Sequence, residues 1–398
     1  MRPFTILFLV AAVCGMFFAG FSTWDFVAHL DRDVHDVHCS FIPGLLASDT
    51  SASSGCHITL MSPYSSVFRA SVWGGIPVAL PGLAVFAFLL FRGLDMLLNR
   101  REDDKRATTF LVLAAALPAL TSVGMGYLSI VELGAACKLC IGIYISSFVA
   151  LAAAFGIRAQ GVGEDMQGFG REFGLSFAEG VGFVLVPVLL YAVMAPDYSR
   201  YIGTCGNLPK PEDTNGVLLP IGQQASGKEA VEIFDPLCPA CKGFEGRLAA
   251  SGLESQLKRK ALMFPLDNTC NWMVSNTLHP GACMMSEAVL CADTKTDAVI
   301  AWAFEHQDEV RTAASTNPDA AKDLVTAAFP ELKACIGSPA VKSRLNKSLR
   351  YAVANQLPVL TPQIYVENQK LCDADTDLGL DYALTRLLAA PVAKKESK

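Results

Sequence analysis

Charge is scarce in this sequence. Only 18% of its 398 residues are Asp, Glu, Lys or Arg, while 52% are hydrophobic. No basic cluster of useful size is present and the net charge is −6, which argues against nucleic acid as a partner. There are only six histidines, and the two CxxC pairs lie about 100 residues apart in different parts of the chain, which weighs against a zinc site; no metal is expected. No internal repeat is evident. A composition this apolar excludes a disordered tail, a collagen-like repeat and an ordinary soluble enzyme. The shortage is uneven. Residues 1–196 hold 11 Lys and Arg and 14 Asp and Glu, and the remainder holds 21 and 24. The first half reads as membrane and the second as water-soluble.

A bilayer core takes about 20 apolar residues in a helix. Residues 4–24, 70–91, 107–131 and 139–157 carry no charge, and 180–196 is a shorter apolar run interrupted by Pro187. These predict five spans, the first a retained span rather than a cleaved signal peptide. Arg100, Arg101, Lys105 and Arg106 lie between spans two and three, Arg158 and Arg171 between four and five, and Arg2 before the first. Such loops stay cytoplasmic. Loops 25–69 and 132–138, and the whole C-terminal part, are then expected outside, with the N-terminus inside.

Residues 197–228 are rich in Gly, Pro and polar side chains and read as a linker. A soluble domain, 229–398, follows. Strands are expected near 231–234, 261–266 and 363–368. A helix is expected from Cys238, a mainly helical block over 280–356, and a last helix over 375–390. That order predicts a thioredoxin fold with a helical insertion.

Thirteen cysteines are many for this length. All but Cys14 fall on the expected outer side, which suits an oxidising compartment. Cys14, within the first span, is expected simply to pack. Two CxxC motifs stand out, Cys137-Lys-Leu-Cys140 and Cys238-Pro-Ala-Cys241. At a helix start the free N–H groups stabilise a thiolate, and the second cysteine lies one turn on, placed to resolve a mixed disulfide. A static structural bridge is the alternative for each. Thr361-Pro362, before the late strand, is the candidate for the cis proline that faces the CxxC in thioredoxin-like proteins. Cys39 and Cys56, in a polar outer loop, fit either a structural bridge or a mobile shuttle. Cys270 and Cys283 flank a short loop and are expected to pair, as are Cys291 and Cys335. Cys205 with Cys372 is the leftover pair. His279 and His306 read as solvated or capping side chains.

With these residues in view, residues 1–196 resemble the vitamin K epoxide reductase family. The matching pattern is Cys39 and Cys56, then Ser62, the segment SVWGGIPVALPG (71–82) and CKLCIGIY (137–144). Residues 228–390 resemble a DsbA-type thioredoxin-fold domain, and bacterial proteins that join two such modules are known. The resemblance implies a four-helix bundle around a quinone, ubiquinone or menaquinone, with the fifth helix carrying the thioredoxin-fold domain. It implies that Cys140 lies nearest the quinone, with Ser62 and Tyr144 as polar contacts. Cys137 would exchange with Cys56, and Cys39, as a shuttle, with Cys238. The expected function is then a thiol–disulfide oxidoreductase of the bacterial inner membrane. It would oxidise exported proteins with reduced cysteines and pass the electrons to the membrane quinone pool. The alternatives are reduction of vitamin K epoxide or quinone as the main purpose, and a membrane-anchored chaperone or adaptor with structural cysteines. Ala70 stands where the vertebrate enzymes carry an asparagine, which counts against the epoxide.

Overall fold

The computed structural model describes residues 3–30, 55–160, 166–222 and 227–390, in two units divided after Pro196. The first unit is built from α1 (Pro3–His29), a short α2 (Gly55–Leu60), α3 (Ala79–Leu98), α4 (Lys105–Tyr127), α5 (Lys138–Gln160) and α6 (Phe169–Met194). The five long helices have the length and apolarity of membrane spans. α1 packs along α5 and α3, α4 along α5, and α6 along α3.

The contacts between these helices rest on small residues. Ala11, Ala12, Gly15 and Ala19 of α1 are buried, as are Ala150, Ala153 and Ala154 of α5. A Cβ on Gly15 would collide with the Phe86 ring, so the glycine sets how closely α1 and α3 approach. Large apolar side chains such as Leu120, Ile145 and Leu189 point outward, as they do in helices solvated by lipid. Cys14 is exposed too, not packed as expected, because it lies outside the buried Ala11–Gly15–Ala19 stripe.

Two spans differ from their sequence reading. The second starts at Ala79 and not at residue 70. The residues before it form a small antiparallel pair, β1 (Ser66–Val67) with β2 (Ile76–Pro77), closed through Gly74 and Gly75 at positive φ. That turn is as apolar as the helix, so hydropathy alone merges them. The fifth helix begins eleven residues before 180. Its charges at Glu172 and Glu179 are met by Arg92 of α3 at 3.4 and 3.3 Å, and Arg101 reaches Glu172 at 2.7 Å.

The second unit is a five-stranded sheet flanked by helices. Its elements are β3 (Leu219–Pro220), β4 (Lys228–Phe234), α7 (Pro239–Ser251), β5 (Leu257–Met263), the helices α8 (Ala282–Cys291), α9 (Thr296–Glu305), α10 (Gln307–Thr316), α11 (Pro318–Ala328) and α12 (Pro339–Ala354), then β6 (Gln363–Val366), β7 (Gln369–Lys370) and α13 (Leu380–Ala389). The order across the sheet is β3-β5-β4-β6-β7. β4 and β5 are parallel, joined by the crossover helix α7, and β6 runs antiparallel to β4. This is the thioredoxin topology, with α8–α12 inserted before β6. Positive φ at Glu367 and Asn368 makes the tight turn that ends the late strand at Val366.

Most of the stretch read as a linker, 197–228, belongs to this unit. β3 pairs with β5, Leu208 and Val217 are buried, and Cys205 is bonded to Cys372. Glycine and proline mark irregular backbone there, and irregular backbone here is packed.

Candidate active site

In the first unit Cys137 sits immediately before α5. Its Sγ accepts the Cys140 N–H at 3.4 Å, and its carbonyl accepts from Ile141 N at 2.9 Å. The cysteine thus satisfies one of the N–H groups that a helix start leaves unpaired. Both sulfurs are free thiols, Cys137 buried and Cys140 half-buried. They open into a cavity of about 350 Å³, which Cys56 also lines. Cys56 is itself disulfide-bonded, while Cys39 lies outside the described residues.

The cavity walls are mainly apolar, with Phe26, Leu60, Val85, Phe86, Leu117 and Ile143 among them. Tyr144 lines the cavity, one turn of α5 below Cys140. Ser62 does not. It is buried, donates its hydroxyl to Thr59 O at 2.8 Å and ends α2, while Ser65 lines the cavity in its place. Asp25, at the end of α1, is 4% exposed and is the one carboxylate lining the cavity among the described residues. The sequence reading missed it by ending the first span at residue 24. A single acid inside an apolar helix was the available signal. An apolar slot of this size, with thiols and a few polar groups at one end, fits a lipid-soluble quinone ring.

In the second unit Cys238 caps α7, with Pro239 at the first helical position. Cys241, one turn in, is buried. The Thr361–Pro362 peptide bond is cis, and Thr361 O lies 3.7 Å from Cys238 Sγ as its acceptor. Pro362 lines the same small pocket as Cys241, together with Glu232 and Glu245. The turn before Cys238 is fixed from both sides. Asp235 accepts from Leu237 N and from Leu266 N, each at 2.8 Å, and Gln307 donates to Pro236 O and Cys238 O. The Cys241 thiol, hydrogen-bonded to Cys238, pulls the Cys238 thiol down to about 6 against the opposing effect of burial, and Thr361 acts the same way. Burial, with Cys238 beside it, pushes Cys241 well up. Cys238 thus has the lowered pKa that suits an attacking thiol, and Cys241 the raised one that suits a resolving thiol.

Behind Cys241, Arg259 binds Glu232 through Nε at 2.5 Å and Nη2 at 2.8 Å, and also reaches Glu245 and Glu254. Burial, and then Glu232, push the Glu245 carboxyl up to about 8. None of these charged groups was picked out from sequence, because the partners of each lie on other elements. The remaining cysteines pair as Cys270–Cys283, Cys291–Cys335 and Cys205–Cys372.

Residues 6–155 match the family model described as Vitamin K epoxide reductase family. No curated protein matches the chain. Among solved structures, reduced DsbA1 from Neisseria meningitidis is 20% identical, over 44% of this chain and 92% of that one, with a TM-score of 0.30. A second structure, the oxidoreductase NmDsbA1 from N. meningitidis, is 19% identical over 42% and 88%, with a TM-score of 0.29. Residues 6–155 are thus similar to the vitamin K epoxide reductase family, and a domain of thioredoxin fold follows them in the same chain.

Proposed function

We propose that this membrane thiol–disulfide oxidoreductase oxidises the thiols of exported proteins and hands the electrons to a quinone. A client thiolate attacks the Cys238–Cys241 bond and its second thiol displaces Cys238, leaving the client oxidised and both cysteines reduced. The Cys238 thiolate then opens the Cys39–Cys56 bond at Cys39, and Cys241 releases Cys39 by closing the original bridge. Cys56, now a thiolate, attacks Cys137 and breaks the Cys137–Cys140 bond, and Cys39 releases Cys137 in the same way. Each exchange moves two electrons, and protons pass between the thiols involved. A quinone bound in the cavity would supply the terminal oxidising power, as an acceptor of two electrons and two protons. Cys140 and Tyr144 would hold its ring from α5, and the apolar walls would exclude water. Asp25, which lines the same cavity, would exchange protons with the thiols there. The cysteines of the first domain work on the outer side of a bacterial inner membrane in this reading.

The observation that carries this reading is that Cys56, Cys137 and Cys140 line one apolar cavity. The test is quinone reduction by the full-length chain supplied with a reduced dithiol peptide, compared with Cys140→Ala. Turnover is expected only in the wild type, and full turnover in the variant would remove Cys140 as terminal donor. An adaptor with purely structural cysteines is the competing view. The free, acidic Cys238 thiol speaks against it. Cys241→Ser should accumulate mixed disulfides through Cys238, which an adaptor would not form.

A further inference from the structure

One titratable pair beside the soluble dithiol is not used by these exchange steps. His279, read from sequence as solvated or capping, is 9% exposed, and its Nδ1 lies 2.7 Å from Asp235 Oδ2. Asp235 is fully buried, and its carboxylate also receives Leu237 N and Leu266 N. Its carbonyl accepts the N–H of Cys238 at 3.1 Å. The imidazole is therefore anchored to the turn that presents the nucleophile. Pro239 and Ala240, between the two cysteines, carry no charge, so any cation that stabilises the thiolate must come from outside the motif.

We propose that His279, held by Asp235, is a positioning residue that sets a positive charge against Cys238 and so raises the reactivity and oxidising strength of the Cys238–Cys241 pair. The inference rests on the exchange function proposed above and names what tunes it. Burial favours the neutral imidazole, but the hydrogen bond and charge of Asp235 outweigh it and raise the His279 pKa, with the Cys238 thiolate helping and Arg311 opposing. In return His279 favours the Cys238 thiolate, while Asp235 alone disfavours it. The histidine thus offsets part of the effect of the buried Asp235 charge on Cys238. When a client dithiol is oxidised it loses two electrons and two protons as its sulfurs join. The Cys238–Cys241 bond opens, Cys241 takes one proton, and Cys238 remains a thiolate. The other proton goes to His279 when it is neutral and to water otherwise.

The experiment uses the full-length chain in detergent. The alkylation rate of Cys238 is followed against pH by peptide mass spectrometry, and the dithiol is equilibrated with glutathione. His279→Gln keeps a donor for Asp235 and removes the charge. It is expected to move the Cys238 midpoint up by about one pH unit. The equilibrium should shift about tenfold toward the disulfide, which lowers the potential by about 30 mV. His279→Lys restores the cation and should recover much of both. An unchanged midpoint and equilibrium in His279→Gln would overturn the proposal, and so would a loss that His279→Lys does not reverse. A measurement on the wild type guards against misfolded variants. By reciprocity the His279 ring must titrate higher in the reduced than in the oxidised chain, read from its NMR shift. Equal values in the two states would sink the idea. If the wild-type pair does not exchange with glutathione at all, the exchange function falls with it, a result distinct from an intact exchange that ignores His279.

Discussion

Both dithiols use the same local device, a cysteine at a helix start and its partner one turn on, yet their surroundings have little in common. Cys137 and Cys140 face an apolar cavity whose single acid among the described residues is Asp25. Cys238 and Cys241 are backed by Glu232, Glu245 and Arg259, flanked by Asp235 and His279, and faced by Thr361–Pro362. The motif supplies the sulfur chemistry, and the walls decide what meets it. Apolar walls suit a lipid-soluble ring, whereas the second dithiol lies against a buried charge network.

The sharpest way to break this contrast is to remove one sulfur from each side. Cys140→Ala is expected to lower quinone reduction by on the order of 100-fold or more, while stopped-flow oxidation of a dithiol peptide by Cys238–Cys241 stays at the wild-type rate. Loss of both activities would make the two sites one. Next in size is the charge network. Arg259→Met strands Glu232 and Glu245 and is expected to cost about 3–5 kcal/mol, seen as a lower urea midpoint for the second domain. A phenylalanine at Tyr144, in the other unit, should leave that midpoint unchanged.

A third contrast is pH. The Cys238 thiol sits at about 6. Its thiolate is present above that value and is lost as pH falls through it, so the attack rate should drop roughly tenfold per unit below pH 6. Alkylation of Cys238 by iodoacetamide reads this directly, and a flat profile between pH 4 and 6 would contradict the assignment. The smallest effect is at the cavity wall. Tyr144→Phe removes one hydroxyl and should raise the quinone KM by several-fold, about 1 kcal/mol. Ser62→Ala, which alters only the end of α2, should leave that KM alone.

Much of this was legible in the sequence because it depends on local patterns. Uncharged runs gave the spans, and the two CxxC motifs gave the dithiols. The order of strands and helices around Cys238 gave the thioredoxin topology. What escaped depends on long-range placement. Ser62 and Ser65 are three residues apart in one loop, and only the fold decides which one turns toward the cavity. Asp235 and His279 are 44 positions apart, and Glu232 meets Arg259 only because β4 and β5 run parallel in register. The turn at Gly74 and Gly75 and the packed stretch around Leu208 failed for a related reason. Composition reports polarity and flexibility, and neither says whether a segment is buried.

The three bridges of the second domain, at Cys205–Cys372, Cys270–Cys283 and Cys291–Cys335, carry a consequence for how such a chain comes into being. On the function proposed above, a newly synthesised copy, whose six sulfurs there start out reduced, is a client of its own reaction, and older molecules would finish younger ones. A cell starting from none would show a lag, then self-accelerating maturation.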